Sequence, residues 1–206
     1  MIEQVVYINL DHRTDRRQQI EKELDKIPCQ NVQRFSAIRD LHGDVGCSKS
    51  HVEVLKLAIQ SGWKNVLILE DDMVFREEKW DLLFEKMASY DVIVIGGMSS
   101  VYDKNTLKLT KCHGTGAYIV NSSYYTTLLS NFEEGLNNLH SKYYPKKEFF
   151  WSRPMPNYVP AYTIDQYWNR LQQKDNWFLV QMMYSPPSFS DITEYEEDYT
   201  DRFNIE

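Results

Sequence analysis

Apolar residues arrive along this chain in short blocks, separated by stretches with helical spacing. Gln4-Val5-Val6-Tyr7-Ile8-Asn9-Leu10 has strand length and ends in polar residues. From Asp11 to Lys26, the positions of Ile20, Leu24 and Ile27 predict a helix with one apolar face. Val32 to Ala37 is a second strand candidate. Ser50 to Ser61 predicts a helix whose stripe is Val54, Leu55, Ala58 and Ile59, stopped by Gly62. Val66-Leu67-Ile68-Leu69 is the most strongly apolar block, and its lack of alternation predicts burial on both faces of a sheet. Further on, Trp80 to Ala88 predicts a helix, and Val92 to Ile95 a strand closed by Gly96-Gly97. Ala117 to Val120 predicts a strand, Ser123 to Phe132 and Ile164 to Gln173 helices, and Trp177 to Met182 a strand.

Strand and helix alternate from the start, the pattern of an α/β layered domain with a largely parallel sheet. The length of 206 residues fits a single domain over 1–206. Residues 140–162 differ in character: Pro145, Pro154, Pro156 and Pro160 stand among many rings, which predicts a long irregular loop. Residues 193–206 read as an acidic, solvated tail.

Composition narrows the function. A net charge of -7 argues against a nucleic-acid partner, which needs a basic face to displace counterions. Cys29, Cys47 and Cys112 have no metal-type spacing and read as free thiols of a reducing compartment. The opening residues lack the basic start and apolar core of a signal peptide, and no apolar run reaches the length of a membrane span. The expectation is a soluble cytoplasmic protein. Tyr and Trp are numerous enough that some must face solvent, where they either plate a carbohydrate site or cover loops.

In a parallel sheet, ligands bind beyond the carboxyl ends of the strands, so polar residues that follow strands come first. Glu70-Asp71-Asp72 follows the most buried block. Three adjacent carboxylates repel one another, and a bound cation relieves them; magnesium or manganese suits oxygen donors. A solvated acidic turn is the plain alternative. Asn9, Arg13, Arg39 and Asp40 follow early strand ends and are candidates for a nucleotide pocket. Arg13, Arg16 and Arg17, with the amides of a helix start, can meet a diphosphate or can pair with Glu21 and Glu23. Ser48 or Ser50 can cap the second helix, and His51 can orient a carboxylate or be structural. Neither a dinucleotide fingerprint, a P-loop nor a nucleophile elbow is present.

Taken in order, these pieces resemble glycosyltransferase family 25, which includes bacterial lipooligosaccharide galactosyltransferases and collagen galactosyltransferase domains. They are Tyr7-Ile8-Asn9-Leu10-Asp11 with Arg13 and Arg16, Gly43-Asp44-Val45-Gly46-Cys47 with Ser50-His51, Leu67-Ile68-Leu69-Glu70-Asp71-Asp72, Thr115-Gly116-Ala117-Tyr118-Ile119-Val120, and Ile164-Asp165. Pro187 with Ser190-Asp191-Ile192 is similar to the family's closing segment. The resemblance implies a GT-A-type nucleotide-binding α/β/α sandwich with a central, mostly parallel mixed sheet. It implies a UDP-hexose donor, Mn2+ (or Mg2+), and inversion at the anomeric carbon. The acceptor is then a glycan, a lipid-linked sugar or a protein. Asn9, Asp11, Arg13, Arg16, Arg39, Asp40, Ser50, His51, Glu70 and Asp71 are the donor-side candidates, with Glu70 and Asp72 as metal ligands. Two departures stand out: the chain is shorter than many relatives, and 140–162 matches no family motif.

Inverting transfer needs a carboxylate to take the acceptor's proton. Asp165 is the first candidate, against its reading as a helix cap; Asp191 is the second. Trp151, Tyr158 and Tyr162 are candidates to stack on an acceptor. Two other readings remain open on the residues. One is a nucleotidyltransferase or metal phosphohydrolase, which also needs carboxylates and a cation. The other is an inactive GT-A-like module that binds a glycan or protein.

Overall fold

A computed structural model describes residues 1–144 and 160–186. Among the described residues the central sheet contains six strands: β1 (Gln4–Asn9), β2 (Val32–Ser36), β3 (Asn65–Glu70), β5 (Val92–Tyr102), β6 (Leu109–Asn121) and β7 (Trp177–Leu179). Their order is β2-β1-β3-β6-β5-β7. All run in one direction except β6, which is antiparallel to both its neighbours. A short pair, β4 (Val74–Phe75) with β8 (Met183–Tyr184), forms a second sheet. The helices are α1 (Thr14–Leu24), α2 (Gly43–Ser61), α3 (Trp80–Lys86), α4 (Tyr125–Tyr143), α5 (Ile164–Tyr167) and α6 (Asn169–Gln172).

Period-2 alternation of the central strands builds two cores. Val6, Ile8, Val66, Ile68, Val92, Val94, Tyr118 and Val120 face α2, α4 and the turn around Trp168. Val5, Tyr7, Leu67, Leu69, Ile93, Ile95 and Ile119 face the other side, with Ile20 and Leu24 of α1 and Leu83 of α3. This is the three-layer α/β/α sandwich with a mostly parallel mixed sheet that the family resemblance implied.

Several boundaries differ from the sequence reading, each for a local reason. Helix α2 begins at Gly43, seven residues before Ser50. Ser48 and Ser50 therefore sit inside it, donating to the carbonyls of Asp44 (2.7 Å) and Gly46 (2.8 Å), and do not cap it. Gly96-Gly97 does not close β5. A Cβ on Gly96 would lie 2.2 Å from Met73 Cε, and one on Gly97 2.2 Å from Cys112 Sγ, so these glycines allow close approach within a continuing strand. Beyond them β5 and β6 run on as a bulged two-stranded ribbon to Tyr102 and Leu109. The segment 164–173 is two short helices separated by the fully buried Trp168, whose Nε1–H donates to the Cys112 carbonyl at 2.8 Å. Helix α4 runs to Tyr143, into the stretch expected to be irregular.

The connection from β2 to α2 is held tightly. The Ile38 amide donates to Ser50 Oγ at 2.8 Å, and a Cβ on Gly46 would lie 2.6 Å from the Ile38 carbonyl oxygen. Because the obstacle is backbone, it cannot swing aside. Gly46→Ala should therefore cost roughly 1–3 kcal/mol, read as a lowered urea midpoint with an unchanged slope.

Candidate active site

Strands β1, β2 and β3 are parallel, so their carboxyl ends lie on one edge of the sheet. Strand β6 runs the other way, pairing Leu69 with Ala117, so its earlier residue Thr115 stands beside the end of β3. Asn9, Ser36, Glu70-Asp71-Asp72 and Thr115 thus meet at one edge, the position where ligands bind in sheets of this kind.

The three carboxylates do not converge. Asp71 turns inward, where Asn9 Nδ2 donates to it at 2.7 Å and Arg16 Nη1 at 3.1 Å. Asn9, Arg16 and Asp71 are all buried. The repulsion expected of the triplet is relieved at Asp71 by this arginine and needs no cation there. Arg34 extends the network: its Nε donates to Asn9 Oδ1 at 3.0 Å and its guanidinium to Asp11 at 2.6 Å, which also accepts from Ser36 at 2.8 Å.

Glu70 points to the other side. Its Oε1 accepts from Thr115 Oγ1 at 2.7 Å and lies 3.3 Å from His51 Nε2. His51 Nδ1 in turn lies 2.8 Å from the Tyr118 hydroxyl. His51 is fully buried, and a Tyr118 hydroxyl donating to Nδ1 leaves the proton on Nε2, aimed at Glu70. Burial pushes the Glu70 carboxyl up, but His51, then Thr115 and the charge of Arg16, outweigh it and hold the group below its ordinary value.

Asp72 has the opposite balance. Burial first, then the negative charge of Glu70, push its carboxyl up to about 7, against a hydrogen bond from Ser185 Oγ of 2.7 Å. Its other oxygen, Oδ1, is buried and has no hydrogen-bond partner among the described residues. A buried carboxylate oxygen with no donor among the described residues, under the negative charge of Glu70, is chemically suited to a divalent cation. Two hard oxygen donors fit Mn2+ or Mg2+.

Asp165 sits in the first turn of α5, after the N-cap residue Thr163. It is not the cap. Its carboxylate accepts from the Gly114 amide at 3.2 Å, Thr163 Oγ1 at 2.6 Å and Gln166 Nε2 at 3.2 Å. Gly114 immediately precedes Thr115, so Asp165 is tied to the strand that carries Glu70's partner. Asp191, Trp151 and Tyr158 lie outside the described residues.

The remaining candidates are spread around this centre. Asp40 accepts from Lys49 at 2.6 Å and from the Tyr144 hydroxyl at 2.5 Å. Arg39, Asp40, Leu41 and Tyr144 line an open cavity of about 500 Å³. Arg13 pairs with Asp15 at 2.9 Å. The Ser50 hydroxyl donates to the Gly46 carbonyl within α2 and accepts from the Ile38 amide of the β2–α2 connection, which ties the loop that carries Arg39 and Asp40 to the helix. Sequence reasoning did not single out Arg34, Thr115 as a partner of Glu70, Tyr118 as the orienter of His51, or Ser185 as the donor to Asp72. Only Thr115 and Tyr118 had a signal, as members of a family motif.

The sheet order with its single reversed strand, and carboxylates at the end of β3, define a GT-A-type fold. Solved structures share it. One is a glycosyltransferase involved in the glycosylation of the major capsid of PBCV-1, at TM-score 0.54 and 6% identity over 96% of this chain and 98% of that one. Another is the glycosyltransferase GlyE of Streptococcus pneumoniae TIGR4, at TM-score 0.51 and 10% identity over 87% of this chain and 45% of that one. The sequence pattern of glycosyltransferase family 25 (LPS biosynthesis protein) matches residues 39–115, which bears out the resemblance read from the residues. Comparison with curated proteins gives no match. Among the described residues, no helix is long and apolar enough to cross a membrane.

Proposed function

We propose that this protein transfers a hexose from a UDP-sugar to a hydroxyl of a glycan, lipid-linked or protein acceptor, with inversion. The observation that carries the reading is the placement of Glu70 and Asp72 after β3, with Asp72 Oδ1 buried and without a partner among the described residues, on a fold shared with glycosyltransferases. Glu70 and Asp72 would hold Mn2+ or Mg2+, which supplies Lewis-acid stabilisation of the leaving diphosphate. The chain's own residues do the rest. Asn9 and Arg16 donate to Asp71, with Arg34 holding Asn9 in turn, and so tie the turn after β3 to β1 and α1. His51 and Thr115 keep Glu70 ionised and oriented. Arg39 and Asp40, beside the open cavity, are donor-side candidates with Asn9, Asp11, Arg13 and Arg16.

The acceptor hydroxyl attacks the anomeric carbon opposite the diphosphate, and that carbon–oxygen bond breaks as the new one forms. The hydroxyl proton goes to a carboxylate, for which Asp165 is the described candidate. The three free cysteines support a reducing compartment such as the cytoplasm, and residues 1–206 form one transferase domain in this reading.

The test is thermal. A ligand that binds only the native state raises the melting temperature. UDP with Mn2+ should raise it by several degrees, and UDP with chelator by much less. A shift with another nucleoside diphosphate and none with UDP would refute the donor assignment.

A further inference from the structure

Behind Glu70 lies a second group of metal-type ligands that the proposed transfer does not use in full. Cys47 and His51 are four residues apart on α2, one helical turn, so their side chains share a face. That face meets the end of β3 and the middle of β6, at Thr115 and Tyr118. The Cys47 Sγ, a ring nitrogen of His51 and a carboxylate oxygen of Glu70 all lie within 4.8 Å of one another. The cluster comes from three separate constraints. The close approach at Gly46 seats the helix start, β6 brings Thr115 against Glu70, and Tyr118 fixes the imidazole.

The donor set is one sulfur, one nitrogen and one oxygen. That mixture favours a thiophilic cation such as Zn2+ over Mn2+ or Mg2+. The imidazole also has the outer partner that metal-bound histidines use, since the Tyr118 hydroxyl lies 2.8 Å from Nδ1. A hydroxyl can donate or accept. It can therefore serve His51 with the proton on Nε2, facing Glu70, or with the proton on Nδ1, leaving Nε2 free for a cation. Tetrahedral coordination at about 2.0–2.3 Å draws ligand atoms to within about 3.5–4 Å of each other, so binding contracts the cluster slightly.

We propose that Cys47, His51 and Glu70 form a binding site for a thiophilic divalent cation of the zinc type, with the fourth position open to water or another ligand. Binding exchanges the thiol proton, released to solvent, for the cation. Without a cation the thiol stays protonated: burial first, and then the charges of Glu70 and Asp165, hold it well above its ordinary value. The site shares Glu70 with the proposed donor-side pair, so an occupied cluster takes that carboxylate from it.

The experiment is optical and needs no turnover, so it stands apart from the proposed transfer. The full chain, stripped of metal, is titrated with Co2+. One equivalent should produce a near-ultraviolet sulfur-to-cobalt charge-transfer band with visible bands of tetrahedral intensity, and Zn2+ should erase both. The double variant Cys29→Ser/Cys112→Ser, which leaves Cys47 as the single thiol, should keep the band. Cys47→Ser should lose it, and His51→Gln should weaken cobalt binding tenfold or more. Circular dichroism establishes that each variant is folded. No thiolate band in the wild type, loss of the band in the folded double variant, or its survival in Cys47→Ser would each overturn the proposal.

Discussion

Asp72→Asn should lower donor turnover about a thousandfold while making the metal-free protein more stable at alkaline pH. The first effect follows from the role assigned to the Glu70–Asp72 pair. Lewis-acid stabilisation of a leaving diphosphate is worth several kcal/mol, and each 1.36 kcal/mol is about tenfold in rate. The second follows from burial. The Asp72 carboxyl is pushed up to about 7 in the folded state, from an ordinary value of 3.8. Between those values the native state binds a proton that the unfolded chain does not. Stability contributed by this group is therefore full below about pH 4 and is lost as pH rises through about 7. Asparagine does not titrate, so in chelator the advantage of Asp72→Asn should grow from pH 5 to pH 8, and melting curves at the two values read it directly. A variant that loses turnover through misfolding would show the opposite, a lower melting temperature at both. A carboxylate whose removal cripples the reaction and relieves the fold is the signature of a site strained for a cation.

Asp165→Asn should lower turnover about a hundredfold or more and leave UDP affinity unchanged. A general base acts on the acceptor's proton, so its loss removes an interaction made in the transition state and not with the donor. Asp165 also has a structural task, because it accepts from the Gly114 amide and the Thr163 hydroxyl. Asparagine keeps an acceptor oxygen for the Gly114 amide, and its NH2 can donate to the Thr163 hydroxyl, which reverses that bond, but it cannot take a proton at neutral pH. A titration of UDP by thermal shift, beside a turnover assay at saturating donor, separates the two tasks. Near-wild-type turnover would reduce Asp165 to a brace between α5 and β6, and Asp191 would become the residue to vary. Loss of UDP binding would place Asp165 on the donor side instead.

The parts of this site that were legible in the sequence are those carried by consecutive residues. Val66-Leu67-Ile68-Leu69 announced a strand buried on both faces, and the carboxylates after it had to lie at the sheet edge. The split among them was not legible, because it depends on partners far along the chain. Asp71 is claimed by Asn9 and Arg16, and Asp72 by Ser185. The reversal of β6 was equally hidden. Ala117 to Val120 reads as a buried strand in either direction, yet only the antiparallel course sets Thr115 beside Glu70 and Tyr118 behind His51. Gly96-Gly97 misled for a physical reason: glycine marks a chain end and a close approach with the same letter, and here Met73 and Cys112 occupy the space. The start of α2 was missed because Gly43-Asp44 has low helix propensity. Burial of Val45 and the tight contact at Gly46 hold that turn in place.

The most direct test of the central claim is product analysis of the full chain incubated with UDP-hexoses, in Mn2+ and in chelator. Slow donor hydrolysis needs no identified acceptor and reports the same bond cleavage. The account predicts UDP and free sugar in Mn2+, and neither in chelator or with Asp72→Asn. Release of UMP with sugar phosphate, or of inorganic phosphate, would contradict it in favour of pyrophosphate or phosphomonoester chemistry at the same carboxylates. UDP formed equally fast in chelator would contradict the role given to Glu70 and Asp72.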